Sequence, residues 1–247
     1  MPALTLFAFG ALVIATSFLS GIFGMAGGMI LMGVLLFYVG VADAMILHGV
    51  TQFVSNAGRA AMWYRHVDWR VVARFSLGLL LVSAVFVLVR FSPDQRLVFI
   101  ALGLSPFLAI ALPARFVPQV HQRFGAELSG VLCTVFLLTS GLSGPLLDMF
   151  YVRSELDRRM VVATKAVCQA LSHVCKLIYF GLLVEGATAL ATDPLILGLA
   201  VIGAIIGTTS SRRVLEAMSN SNFRRYTLWI VLTLGAVYLV RGGLGYL

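Results

Sequence analysis

The chain holds two lysines, and both fall inside one apolar run, KAVCQALSHVCK, from Lys165 to Lys176, with Gln169, Ser172 and His173 between them. Lys165, Gln169, Ser172 and Lys176 stand at i, i+4, i+7 and i+11, one stripe of an α-helix, with His173 beside it. The same spacing occurs earlier, in His48, Gln52, Ser55 and Arg59, with Asn56 beside them. Cations and neutral donors set along one helix face can hold an anion through charge-assisted hydrogen bonds. They are also costly where they stand. An ionisable group at the centre of a membrane helix costs at least about 2.5 kcal/mol to insert, so such groups face a cavity or a partner. Plainer roles exist for the members one by one. Arg59 and Lys176 would snorkel to an interface, His48 would sit at one, the glutamines would join helices, and Ser55 and Ser172 would be small packing residues. Those roles leave unexplained why both stripes agree in spacing and type.

The elements that carry these stripes are membrane segments. Of 247 residues, 60% are hydrophobic and 11% charged, and the mean hydropathy is +0.98, far from the roughly 25% charged residues of a soluble domain. Apolar runs at 3–40, 44–64, 71–89, 97–113, 128–152, 161–183, 194–209 and 226–240 are separated by short Arg-rich connectors. Most of them can cross a hydrocarbon core of roughly 30 Å. The opening MPALTLFAFGALVIATSFLSG has no basic n-region and reads as a retained segment rather than a signal peptide. The net charge of +8 fits the positive-inside rule and argues for no nucleic-acid partner. Cys133, Cys168 and Cys175 all lie in apolar runs as small buried thiols, so neither a metal site nor a cofactor is expected.

Two runs carry internal breaks. SGIFGMAGG interrupts the first, with Gly24, Gly27 and Gly28, and SGLSGP interrupts the fifth, with Ser143 and Gly144 before a proline. If every run crosses once, the loop arginines divide nine against five. If the two broken runs fold back as hairpins, Arg65, Arg70, Arg115, Arg123, Arg153, Arg158, Arg159, Arg212, Arg213, Arg224 and Arg225 share one side, leaving Arg90, Arg96 and Arg241 opposite. The hairpins satisfy the positive-inside rule better, and they put both termini in the periplasm.

The two stripes also align 117 residues apart, with Val50 over Val167, Gln52 over Gln169, Ser55 over Ser172 and Arg59 over Lys176. The expected fold is therefore an all-α polytopic membrane protein of two inverted repeats, 1–124 and 125–247. Each is a helical, re-entrant type of hairpin plus three transmembrane helices, a common build for secondary transporters. Inversion sets the stripes antiparallel and makes one polar corridor, positive except for Asp148 and therefore selective for anions. Half-helix N-termini at the glycine breaks would add to its pull on an anion.

SGIFGMAGGMILMGVLL, the second span ending in YRHVDWR, and VVATKAVCQALSHVCKLIYFG together resemble the sulfite exporter TauE/SafE family of anion permeases. The resemblance implies a bacterial inner-membrane carrier of sulfur oxyanions or organosulfonates, such as sulfite or sulfoacetate. The chain departs from the family's Gly-x-Gly-Gly-Gly followed by proline, having Gly24, Met25, Ala26, Gly27 and Gly28 with no proline after them, and has Leu147 and Asp148 where its own first copy has Gly27 and Gly28. Asp148 would pair with a lysine or carry a proton. The coupling ion, proton or sodium, and a homodimer are left open. Two other classes compete: an anion channel, and an intramembrane serine protease of the rhomboid type, with Ser143 as nucleophile and His173 as base, on the short motif GLSG.

Overall fold

The computed structural model describes residues 3–23, 25–113, 116–151, 156–217 and 220–244. Every long element among them is a helix: α1 (Ala3–Phe23), α2 (Met25–Tyr38), α3 (Val41–Met62), α4 (Trp69–Val89), α5 (Gln95–Ala111), α6 (Gly125–Ser140), α7 (Gly144–Met149), α8 (Arg158–Ile178), α9 (Ala189–Thr192), α10 (Pro194–Ala217) and α11 (Asn220–Leu244). Five stretches are long and apolar enough to cross a membrane: Ala3–Phe23, Trp69–Val89, Arg159–Leu183, Pro194–Val214 and Arg225–Leu244. Helix α3 has comparable length, 22 residues, but the first polar stripe keeps it out of that set. This is a multi-pass membrane protein.

Both expected breaks are present. A straight helix would hold Gly27 about 16 Å from Thr16, at 1.5 Å per residue. Instead, a Cβ on Gly27 would lie 1.9 Å from the Thr16 carbonyl oxygen, so α2 has folded back onto α1. Gly24, at the break itself, lies outside the described residues. The hairpin is uneven: α1, at 21 residues, is of crossing length, and α2 has 14. The second break is sharper. Gly141 takes φ +83° as the C-cap of α6, a left-handed conformation that glycine adopts without steric cost. Its return arm, α7, has six residues, after which the Phe150 carbonyl accepts from Val120 N at 3.1 Å and the helix stops.

At the centre α3 packs against α8. Asp68 N, just past α3, donates to Thr164 Oγ1 at 2.9 Å, His48 meets Lys176, and Asp43 accepts from Thr188. One number falls as the other rises, so the two polar helices run antiparallel. Around them α1 lies on α10, α4 on α6, and α5 on α11. The α4–α6 approach needs glycine on both sides. A Cβ on Gly78 would stand 2.2 Å from Glu127 O, and one on Gly130 would stand 2.1 Å from Phe75 O. Without a hydrophobic drive between helices in lipid, such backbone approach is what gives them packing contact. Two apolar clusters result. One is built on α2, α3 and α5 with Tyr238 of α11, the other on α4, α6 and α7 with Ala163 and Cys168 of α8.

Candidate functional site

A pocket of about 90 Å³ opens between α3, α8 and the two hairpin breaks. Helix α8 lines it with Val162, Lys165, Ala166, Gln169 and His173, one face of the helix at helical spacing, and α3 contributes Gln52 and Arg59. The breaks supply Met25 on one side and Leu142, Ser143 and Gly144 on the other, with Asp148 of α7 at the edge. The volume suits a few waters, each taking roughly 30 Å³ in the liquid, or one small polyatomic anion.

The two hairpin tips meet here. A Cβ on Gly28 would come 3.2 Å from Leu142 Cδ2 and 3.3 Å from Gln52 Nε2. One on Gly144 would come 3.0 Å from Met25 Cβ and 3.5 Å from Gln169 Nε2. Each tip therefore touches the other tip and the glutamine of the stripe that follows it, near the middle of α3 or α8. Gly27 faces α1 instead.

Three nitrogens on lining residues are buried without a hydrogen-bond partner: Gln52 Nε2, Arg59 Nε and His173 Nδ1. The first two can only donate. Arg59 is braced from behind, its Nη2 donating to Asn56 Oδ1 at 2.8 Å while Asn56 Nδ2 donates to Gln52 O at 2.8 Å. Lys165 forms an ion pair with Asp148. With the histidine neutral, Arg59, Lys165 and Asp148 leave the lining at a formal +1. A buried donor without an acceptor costs about 1–3 kcal/mol. Two such donors, with a histidine nitrogen that can donate in one tautomer, on the lining of one positive cavity suit an occupant rich in acceptor oxygens.

Other residues of the two stripes face elsewhere. Lys176 is wholly buried away from the pocket, its Nζ 2.7 Å from His48 Nδ1 and donating to the Gly141 carbonyl at 3.1 Å. Ser55 Oγ meets Thr208 Oγ1 of α10 at 3.0 Å, and Ser172 Oγ donates to the Cys168 carbonyl at 2.8 Å, within its own helix. Met25, Leu142, Val162 and Ala166 were not legible as lining residues, because apolar side chains carry no signal in an apolar sequence. No hydrogen bond among the described residues joins Ser143 to His173, whose Nδ1 lacks a partner, so the base that a serine nucleophile needs is not engaged. Among the described residues no cluster of three or more His, Cys, Asp or Glu could hold a metal.

Neither the curated proteins nor the solved structures contain a match to the chain. The family described as sulfite exporter TauE/SafE matches over residues 8–238, almost the whole sequence, and the chain belongs to that transporter family.

Proposed function

We propose that the pocket is the substrate site of a secondary permease for small sulfur oxyanions or organosulfonates, sulfite and sulfoacetate among them. The observation that carries this is that Gln52, Arg59 and His173, whose Nε2, Nε and Nδ1 are buried without a partner among the described residues, line one cavity together with Lys165. Tetrahedral or pyramidal oxyanions offer three or more acceptors around one centre and match that array. Gly28 and Gly144 let the hairpin backbones close on the occupant.

Two inverted repeats, 1–124 and 125–247, are the architecture of this proposal. In its support, the exchange of α1 with α6, α2 with α7, α3 with α8, α4 with α10 and α5 with α11 maps most of the helix packing onto itself, though α2–α3 and α2–α5 have no counterpart of like extent among the described residues. The α1–α10 pair becomes α4–α6, α2–α11 becomes α5–α7, α3–α10 becomes α4–α8, and the α3–α8 and α5–α11 pairs stay in place. Such a build supports alternating access. The pocket sits toward the Arg59 and Lys165 ends of α3 and α8, the end that the arginine distribution assigns to the cytoplasm of a bacterial inner membrane. The opposite end is closed by Lys176, His48 and Gly141.

Thermal-shift and calorimetric titration of the purified protein with sulfite, thiosulfate, sulfoacetate and small carboxylates tests the reading. At least one sulfur anion should bind, and Arg59→Gln should weaken it by about 1.5–3 kcal/mol, the size of a lost charge-assisted hydrogen bond. Wild-type affinity in both Arg59→Gln and Lys165→Gln would place the site elsewhere.

A further inference from the structure

Lys176 has no carboxylate within ion-pair distance among the described residues, whereas Lys165 has Asp148 and Arg74 has Glu127. Its partners are an imidazole nitrogen and the Gly141 carbonyl. A gap of 2.7 Å between two nitrogens holds one proton, donated from one to the lone pair of the other. Two protonated nitrogens would repel across it. The pair is built for one exchangeable proton rather than for a fixed structural charge.

That pair lies one ring away from the lining of the pocket. The His48 ring centroid lies 5.7 Å from that of His173, and His173 lines the cavity with Nδ1 unpartnered. Other titratable or charged groups on the surrounding elements include Arg59 on α3, Asp43 on α3, which accepts from Thr188 N and Oγ1, Cys168 on α8, Cys175 on α8, held by Ser83 of α4, Cys133 on α6, held by the Ser143 carbonyl, and Glu127 on α6, paired with Arg74 of α4. Asp148 on α7 is engaged by Lys165, and Tyr179, past α8, donates its hydroxyl to the Phe86 and Phe91 carbonyls. None of these is a free carboxylate that would neutralise an added proton. An anion in the neighbouring pocket would.

We propose that Lys176 and His48 form the coupling-proton site of this permease, loaded from the pocket through His173, so that the anion crosses together with one proton. The proposal rests on the anion reading of the pocket. The proton arrives from bulk solvent as hydronium by way of the pocket, leaving a neutral water, passes to His173 and then to the His48–Lys176 pair, and returns to solvent by the same route once the pocket faces the other side. Nothing is oxidised or reduced. A bound anion lowers the cost of the extra positive charge, and the extra charge strengthens anion binding by the same factor, as linkage requires. The Gly141 carbonyl ties the pair to the α6–α7 break, whose next residues, Leu142, Ser143 and Gly144, line the pocket. For a monovalent anion the cycle moves no net charge, so its direction follows the anion and proton gradients. Two nitrogens offer a poor site for sodium, since hard cations take oxygen ligands.

Calorimetric titration of the purified full-length protein with thiosulfate, methanesulfonate and sulfite, at one pH in two buffers of different ionisation enthalpy, counts protons taken up per anion bound. Sulfite's own protonation is subtracted. The wild type should take up about 0.5–1 proton per anion, since linkage makes uptake the measure of coupling, and its affinity should rise as pH falls. Lys176→Met should bind with no uptake, and His48→Gln should lose most of it. Anion binding by the wild type without proton uptake would overturn the proton site and leave the anion reading standing. Wild-type uptake in either variant would overturn it equally. Failure of all three anions to bind would remove both. Should Lys176→Met not fold, the wild type and His48→Gln decide the matter.

Discussion

Asp148 is the one carboxylate among the described residues that line the pocket, and it holds Lys165, one of the two lining residues with a permanent positive charge. An incoming anion therefore competes with Asp148 for that lysine. Both side chains keep partial exposure, 23% for Lys165 and 38% for Asp148, and a pair so solvated is worth no more than about 1 kcal/mol. Asp148→Asn should consequently bind the anion about two- to fivefold more tightly while releasing it more slowly, read as affinity and off-rate on the purified protein. A loss of affinity in that variant would mean that the carboxylate supports the occupant rather than opposing it. Arg59 differs from Lys165 in having no carboxylate partner among the ion pairs described and in its brace through Asn56. Asn56→Ala should therefore weaken binding without touching the anion, by letting the guanidinium swing away.

The first hairpin puts two neighbouring glycines to different work. A methyl on Gly27 would strike the Thr16 carbonyl oxygen at 1.9 Å and Ser20 N at 2.5 Å, both backbone atoms that cannot turn aside. Overpacking of that kind costs about 1–3 kcal/mol or more, so Gly27→Ala should lower the melting temperature and the yield. A methyl on Gly28 would meet only the ends of Leu142 and Gln52, at 3.2 and 3.3 Å. Gly28→Ala should keep its melting temperature and lose binding, because Gln52 shifts and the space for the anion shrinks. Equal loss of stability in the two variants would reduce both glycines to packing roles. Helix α7 carries the second tip on six residues, with Pro145 in its first turn. Met25, from the longer arm, rests against it at Gly144.

For the whole molecule the arginines make the prediction. Eleven loop arginines on one side against three on the other predict both termini in the periplasm and residues 153–159 on the cytoplasmic side. A C-terminal green fluorescent protein fusion should stay dark, and an alkaline phosphatase fusion at the same point should be active. Bright fluorescence would rule out the paired hairpins as the basis of the topology. The same prediction would put the pocket in contact with cytoplasmic water and the buried lysine on its periplasmic side.

The sequence by itself determined whatever depends on neighbours within one helix or one break. Helical spacing alone put Lys165, Gln169 and His173 on one face. Glycine alone marked both reversals, since no other residue takes the Gly141 conformation so cheaply. The cations among apolar residues gave the sign of the ligand. Only the tertiary structure decided which members of each stripe share a cavity. Lys176 continues the α8 stripe by spacing, yet at its level the facing residues are His48 and the Gly141 carbonyl, and they close the space. Ser55 belongs to the α3 stripe and is taken up by Thr208, 153 residues away. Such meetings depend on the register of α3 against α8 and α10. That register is set by side-chain and glycine packing summed along whole helices, and no local pattern of residues encodes it.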